Sequence, residues 1–212
     1  MSLPTLTYFS IPARAFPIRF ALRVAGFAFA DERISRAELL ARRGGGSGGA
    51  PAASAAIPLG QLPVLSMGGE VFTESVPLSR WAAQKSALYP ADALGALASE
   101  EAVAILDEVW NKLPRHLEPA AALQAAREAW AAEIAPKYFA RLAARAARSG
   151  GPFLLGAQPC WADAWVVAFA EQLALGVYDH VSKDLLAGHA ELVELVRAFK
   201  AHELFLAHGQ PM

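Results

Sequence analysis

Gln61-Leu62-Pro63-Val64-Leu65-Ser66-Met67-Gly68-Gly69-Glu70-Val71-Phe72-Thr73-Glu74-Ser75 is the stretch that decides the fold. A proline inside an apolar strand cannot donate to the ladder, so it marks an edge or a special backbone site, and such a site can face a ligand. Val64, Leu65, Val71 and Phe72 read as two strands joined by a Gly-containing turn. Glu74-Ser75 places oxygen-bearing side chains and free amides where a helix begins. Helix amino ends attract carboxylates. Together these features point to backbone groups beside Pro63 that bind something peptide-like while the helix end holds its acid group.

Upstream of this stretch the periods are mixed. Leu6-Thr7-Tyr8-Phe9 is strand-like, Arg14 to Gly26 is helical, and Phe27 to Ile34 alternates, which gives the order β-α-β. Ser35 caps a short helix with Glu38 in the capping-box position, Leu39 and Leu40 form its apolar side, and Arg42 and Arg43 suit its carboxyl end. Residues 44–56 are Gly, Ala, Ser and Pro only, too small to bury anything, and read as a flexible loop. They lack the Gly-Lys-Ser/Thr ending of a phosphate-binding loop.

Downstream of Ser75 the chain is rich in Ala, Leu, Glu and Arg with apolar residues at helical spacing. Leu88 to Asp92 reads as a linker, Ala102 to His116, Ala121 to Arg148 and Ala162 to Gly176 as helices, and Leu192 to Leu206 as one or two more. Ser149-Gly150-Gly151-Pro152 is a glycine-then-proline helix stop. The expected fold is a thioredoxin-like α/β domain (β-α-β-α-β-β-α) over 1–86, a linker over 87–93 and an all-α helical bundle over 94–212.

Composition narrows the function classes. With 212 residues, a hydrophobic fraction of 55% and a charged fraction of 18%, the chain has enough apolar material for a sizeable core. Its net charge of -1 leaves no excess to neutralise phosphates, so nucleic acid is not an expected partner. No apolar run approaches the roughly 20 residues that span a bilayer, and Met1-Ser2-Leu3-Pro4-Thr5 lacks a secretory signal's order, so a soluble cytoplasmic protein is expected. Cys160 stands alone, which excludes an internal disulfide, a Cys-x-x-Cys redox motif and a cysteine metal cluster. His116, His180, His189, His202 and His208 match no metal-ligand spacing, and no metal is expected.

The chain resembles the cytosolic glutathione transferases over its full length, most closely the sigma-like branch that includes the glutathione-dependent prostaglandin D synthases. The resemblance rests on Leu6-Thr7-Tyr8-Phe9 with Arg14-Ala15-Phe16-Pro17-Ile18-Arg19, on Gly60-Gln61-Leu62-Pro63-Val64-Leu65, on Glu74-Ser75 with Arg80-Trp81, and on Trp161-Ala162-Asp163. By position alone Tyr8 is an ordinary strand tyrosine. The resemblance implies that its hydroxyl donates to the sulfur of bound glutathione and holds it as thiolate, with Arg14 favouring negative charge nearby. A hydroxyl beside the sulfur stabilises the anion more than the neutral thiol and so lowers its pKa. The resemblance also implies that Pro63 is cis, that the Leu62 backbone pairs with the cysteinyl backbone, that Gln61 supports the ligand, and that Glu74 and Ser75 receive its γ-glutamyl end. For the glycyl carboxylate the chain departs from its relatives, with Leu39 where an aromatic is common, and Arg42 or Arg43 is the candidate.

The helix from Ala102 resembles the one that in sigma-like relatives lines the dimer groove and offers an acid to the partner's ligand; Asp107 and Asn111, four apart on one of its faces, are the candidates the resemblance implies, while Asp107 alone reads as a solvated helix residue. Phe9, Ile11, Trp110 and Trp165 are candidate walls of a second-substrate pocket between the domains, although aromatics at helical spacing also read as core. Asp163 belongs to a capping segment in which Cys160 takes the place of the relatives' hydroxyl, which makes it structural. The implied protein is a homodimeric glutathione transferase of detoxification type. It needs no cofactor, uses glutathione as co-substrate and attacks a small apolar electrophile; peroxidase or isomerase chemistry could share the thiol. The alternative is a non-catalytic thiol or apolar-ligand-binding protein on the same fold.

Overall fold

The structure, a computed structural model, describes residues 3–43 and 57–209, with the Arg43 side chain outside that set. The loop expected over 44–56 falls outside the described residues. Two compact units divide at Ser86/Ala87.

The first unit is built on four short strands: β1 (Thr5–Tyr8), β2 (Ala30–Arg33), β3 (Val64–Met67) and β4 (Glu70–Thr73). They lie in the order β2-β1-β3-β4. β1 runs parallel to β2, with Thr5 opposite Ala30, and antiparallel to β3, with Leu6 opposite Leu65. Gly68 and Gly69 both take positive φ, 63° and 88°, the backbone a tight two-residue hairpin needs, so Met67 pairs with Glu70 across it. The pleat sends Val64 and Leu65 to opposite faces. Val64 joins Ile34, Ile57 and Leu39 of helix α2 (Arg36–Arg43), whereas Leu65 lies on the side of Leu78 and Trp81 of helix α3 (Ser75–Ala83). Helix α1 (Phe16–Val24) packs on α3, and Ser35 and Glu38 form the expected reciprocal cap ahead of α2.

The second unit is helical. Helix α4 (Ala93–Lys112) starts nine residues before the expected Ala102, because the Asp92 carboxylate accepts the Gly95 N–H at 2.7 Å and caps it there. It stops short of His116 because Leu113 precedes Pro114 and is driven into extended backbone. The helix expected from Ala121 to Arg148 is divided into α5 (Ala120–Ala129), a π-helical turn over Trp130–Ile134 and α6 (Ala135–Arg148). Pro136 explains the wide turn, since a proline ring cannot sit against the carbonyl four residues earlier in a regular helix. Gly150 at φ 76° ends α6. Helix α7 (Trp161–Ala174) is apolar nearly all round and buried, and α8 (Ala190–Ala201) and α9 (Glu203–His208) close the unit.

The unit's large rings are satisfied as well as buried. Trp110 meets Trp165 edge to face at 6.2 Å and donates its indole N–H to Tyr178 Oη at 2.7 Å, while Trp161 donates to Ser99 Oγ at 2.9 Å. The expected linker is itself ordered, since the Leu88 carbonyl accepts the Trp161 N–H at 3.0 Å and Tyr89 donates to Glu100 at 3.0 Å. At the start of α7 the Asp163 carboxylate, fully buried, accepts N–H groups from Cys160 at 2.7 Å and Leu154 at 2.9 Å. Burial pushes its carboxyl up to about 6 and the Cys160 thiol well above its usual range, so the thiol stays protonated and reacts slowly.

Candidate functional site

Tyr8 is the last residue of β1, and its ring is 6% exposed and tilted against Phe9 at 5.4 Å. What shapes the chain just past it is Arg19, whose guanidinium is 2% exposed on the inner side of α1. It donates to Asp31 Oδ1 at 2.8 Å, to the Ile11 carbonyl at 2.9 Å and to the Phe9 carbonyl at 3.2 Å, and its carbon lies 5.7 Å from the centre of the Tyr8 ring. Burial pulls this guanidinium below its ordinary value and Asp31 opposes the shift; an arginine stays charged throughout. A fixed cation thus sets the segment from Phe9 to Ile11. The sequence carries a signal for it, an arginine flanked by Ile18 and Phe20 on the face that must be buried, yet its partners lie outside any local window.

Beyond that segment, Arg14 sits in a short 3-10 turn (Ala13–Ala15) ahead of α1. Its Nη1 donates to Ser75 Oγ at 3.3 Å across 61 residues of sequence. Ser75 opens α3 and is 6% exposed; its neighbour Glu74 holds φ 70° and ψ 121°, a left-handed backbone rare outside glycine. Helix α3 leaves its first amides without intrahelical partners, which is the local chemistry of an anion site. The Leu62–Pro63 bond is cis, as the resemblance implies, and the β3 ladder begins only at Val64. Gln61 is exposed and Leu62 half-buried against the Val64 cluster.

Arg42 is placed differently from a waiting carboxylate ligand. Its Nη1 and Nη2 donate to the two oxygens of Glu32 at 3.0 and 2.8 Å, and Thr7 adds a hydroxyl donation to Glu32 at 2.6 Å. The Arg42 bonds, reinforced by Thr7 and opposed by burial, hold the Glu32 carboxyl below its usual range, and the same pair raises Arg42. A ligand carboxylate at Arg42 would compete with Glu32. The Arg43 side chain lies outside the described residues.

The remaining candidates separate. Phe9 is half-buried and Ile11 39% exposed, both on the segment that Arg19 holds. Trp110 and Trp165 are 1% and 0% exposed, locked together with Phe169 in the helical core, so they are core side chains and not walls of an open pocket. On α4, Asn111 donates to Asp107 at 3.1 Å. Among the described residues no group of three His, Cys, Asp or Glu is placed to hold a metal, and no helix is long and apolar enough to cross a membrane.

Comparison with known proteins bears on the fold and on what the chain is similar to. Residues 109–207 match the family described as glutathione S-transferase, C-terminal domain. A glutathione S-transferase of Anopheles gambiae is 28% identical over 193 residues, covering 90% of this chain and 87% of that protein. Among solved structures, rat hPGDS complexed with a quinoline superposes with a TM-score of 0.78 at 21% identity, covering 96% of this chain and 94% of that one. Prostaglandin synthase D of Nilaparvata lugens gives 0.79 at 20% identity, covering 97% and 96%. Residues 109–207 thus match the glutathione S-transferase C-terminal domain family, and over most of its length the chain is similar to glutathione S-transferases and shares the fold of these solved structures.

Proposed function

We propose that the protein binds glutathione at the Tyr8–Pro63–Ser75 face of its first unit, ionises the thiol with the Tyr8 hydroxyl and directs the thiolate at a small apolar electrophile. The observation that carries this reading is the Arg14–Ser75 contact at 3.3 Å. It ties the turn that follows Tyr8 to the amino end of α3, which supports reading Tyr8 and that helix end as parts of one site. Glutathione then fits in the order its chemistry asks for: its γ-glutamyl carboxylate at Ser75 and the first amides of α3, with Glu74 taking the γ-glutamyl amine, its cysteinyl backbone along Leu62 beside Pro63 and supported by Gln61, its sulfur at Tyr8. Arg14 adds positive charge close to the sulfur.

At the glycyl end the candidates are Arg43 and, in competition with Glu32, Arg42. On the electrophile's side Phe9 and Ile11 supply apolar surface next to the sulfur. Positioning the two reactants together provides the larger part of the rate gain, and thiol ionisation the rest. Peroxide reduction or isomerisation by the same thiolate, a sigma-like assignment, cytoplasmic detoxification and a homodimer with Asp107 and Asn111 facing the partner's ligand belong to this reading. The dimer is supported by the apolar face of β4 and α3, where Phe72 is 40% exposed beside Trp81 and Pro77.

The test is conjugation of a reactive aryl halide by the wild type and by Tyr8→Phe. Loss of the thiolate-stabilising hydrogen bond lowers kcat by about ten- to a hundredfold and leaves the KM for glutathione within about threefold. Equal turnover in the two proteins removes Tyr8 from the mechanism.

A further inference from the structure

A cavity of about 490 Å³ lies within the helical unit, between the amino end of α4 and the segment that joins α6 to α7. Its size is in the range of small-molecule sites. Apolar side chains line part of the wall, Leu88, Pro90, Leu94, Ala98 and Leu154 among them, and Cys160 reaches it. None of these residues takes part in the thiol chemistry proposed above. Two cations complete the lining, Arg145 and Arg148 at the carboxyl end of α6.

The charge at this end is unbalanced in a particular way. Lys137, Arg141, Arg145 and Arg148 recur at spacings of three and four along α6 and so share one face. Glu101 of α4 is the acid that meets them, accepting from Arg141 at 2.7 Å and from Arg145 as well. Two guanidinium groups therefore share one carboxylate. Arg148, exposed at the cavity's margin, makes no hydrogen bond or ion pair among the described residues. The acid in the lining, Asp92, uses Oδ1 to accept the Gly95 N–H as the α4 cap. A cavity with an apolar body and an uncommitted guanidinium is complementary to a molecule with a hydrocarbon chain and one acid group.

We propose that this cavity binds a medium-chain aliphatic carboxylate, its chain against Leu88, Ala98 and Leu154 and its acid group on Arg148 with Arg145 beside it. The neutral walls select the chain. The two arginines select the anion over a neutral or cationic head group.

The experiment is calorimetric titration of the full chain with decanoate, decan-1-ol and decyltrimethylammonium in the presence of saturating glutathione. Decanoate is expected to bind at one saturable site and more tightly than the other two. Arg148→Gln weakens decanoate by about tenfold, the scale of one hydrogen bond to a charged group, and leaves decan-1-ol unchanged. Arg197→Gln, which removes an equal charge from α8, changes decanoate by less than about twofold. Ala98→Leu fills the wall and abolishes decanoate binding while conjugation activity persists. A second measurement does not depend on that variant folding: Cys160 is the chain's only cysteine, so decanoate must slow its alkylation by a small neutral thiol reagent. Absence of saturable decanoate binding, equal affinity for the alcohol, or an alkylation rate indifferent to decanoate would each overturn the proposal.

Discussion

Replacing Asp163 by asparagine sets two effects of known sign against each other. The carboxylate is fully buried and accepts two backbone N–H groups, from Cys160 and Leu154. Burial nevertheless dominates and raises the carboxyl from 3.8 to about 6. A folded-state value above the unfolded one means that the stability this group contributes is fully present below about pH 4 and is lost as pH rises through about 6. At about 1.4 kcal/mol for each unit of separation, the loss approaches about 3 kcal/mol by neutral pH. The substituted side chain would carry no charge to bury, but its amide can accept only one of the two N–H groups, and the orphaned donor costs about 1–3 kcal/mol. The Asp163→Asn variant is therefore expected to be less stable than wild type by about 1–3 kcal/mol near pH 4. Near pH 7 it should be equal to wild type or more stable by up to about 2 kcal/mol. The assay is denaturant unfolding followed by tryptophan fluorescence at both values, comparing the variant with wild type at each. A deficit of the same size at both would refute the reasoning, because it would mean the buried carboxyl titrates as it does in the unfolded chain.

Three further substitutions probe other parts of the structure. Ser66→Ala removes a buried hydroxyl with no partner among the described residues, and is expected to raise the unfolding free energy by about 1 kcal/mol. Cys160→Ser exchanges a thiol for a better helix cap and should gain up to about 1 kcal/mol, read as a higher melting temperature without loss of conjugation activity. Arg19→Leu strips the Phe9 and Ile11 carbonyls of their buried donor while Asp31 keeps Arg33 at 3.0 Å; a loss of about 3 kcal/mol or more is expected by urea unfolding, and Arg33→Leu serves as the milder control.

Much of the architecture was legible because local rules and tertiary packing agree. The strands β1 and β2, the paired glycines after Met67, the Ser35–Glu38 cap and the Gly150 stop all appear where they were expected. Where the expectation missed, a physical cause can be named. Ala93 to Ala98 lacks a polar face, so the start of α4 shows only in Asp92, whose role as cap depends on Gly95 lying three residues on. The break at Trp130–Ile134 follows from Pro136 inside an otherwise helical period. Trp110 and Trp165 sit at a spacing that a pocket wall and a core share, and burial alone distinguishes them. The hydrogen bonds that shape the candidate site, Arg14 to Ser75, Arg19 to the Phe9 and Ile11 carbonyls, and Thr7 and Arg42 to Glu32, join residues far apart in sequence, so no periodicity announces them. For the same reason Arg42 reads as available to a ligand in the sequence when it is already engaged.

The central claim is that Tyr8 lowers the pKa of a bound thiol. Its direct measurement is an ultraviolet difference titration of glutathione bound to wild type and to Tyr8→Phe, following the thiolate band with pH. A hydrogen bond to a charged group contributes about 1.5–3 kcal/mol, or about one to two pH units. The account predicts a bound thiol that ionises at least about one unit below the ordinary thiol value near 8.5, and its return toward that value in Tyr8→Phe. A thiol in the wild type that titrates at its ordinary value, or one lowered equally in both proteins, contradicts it.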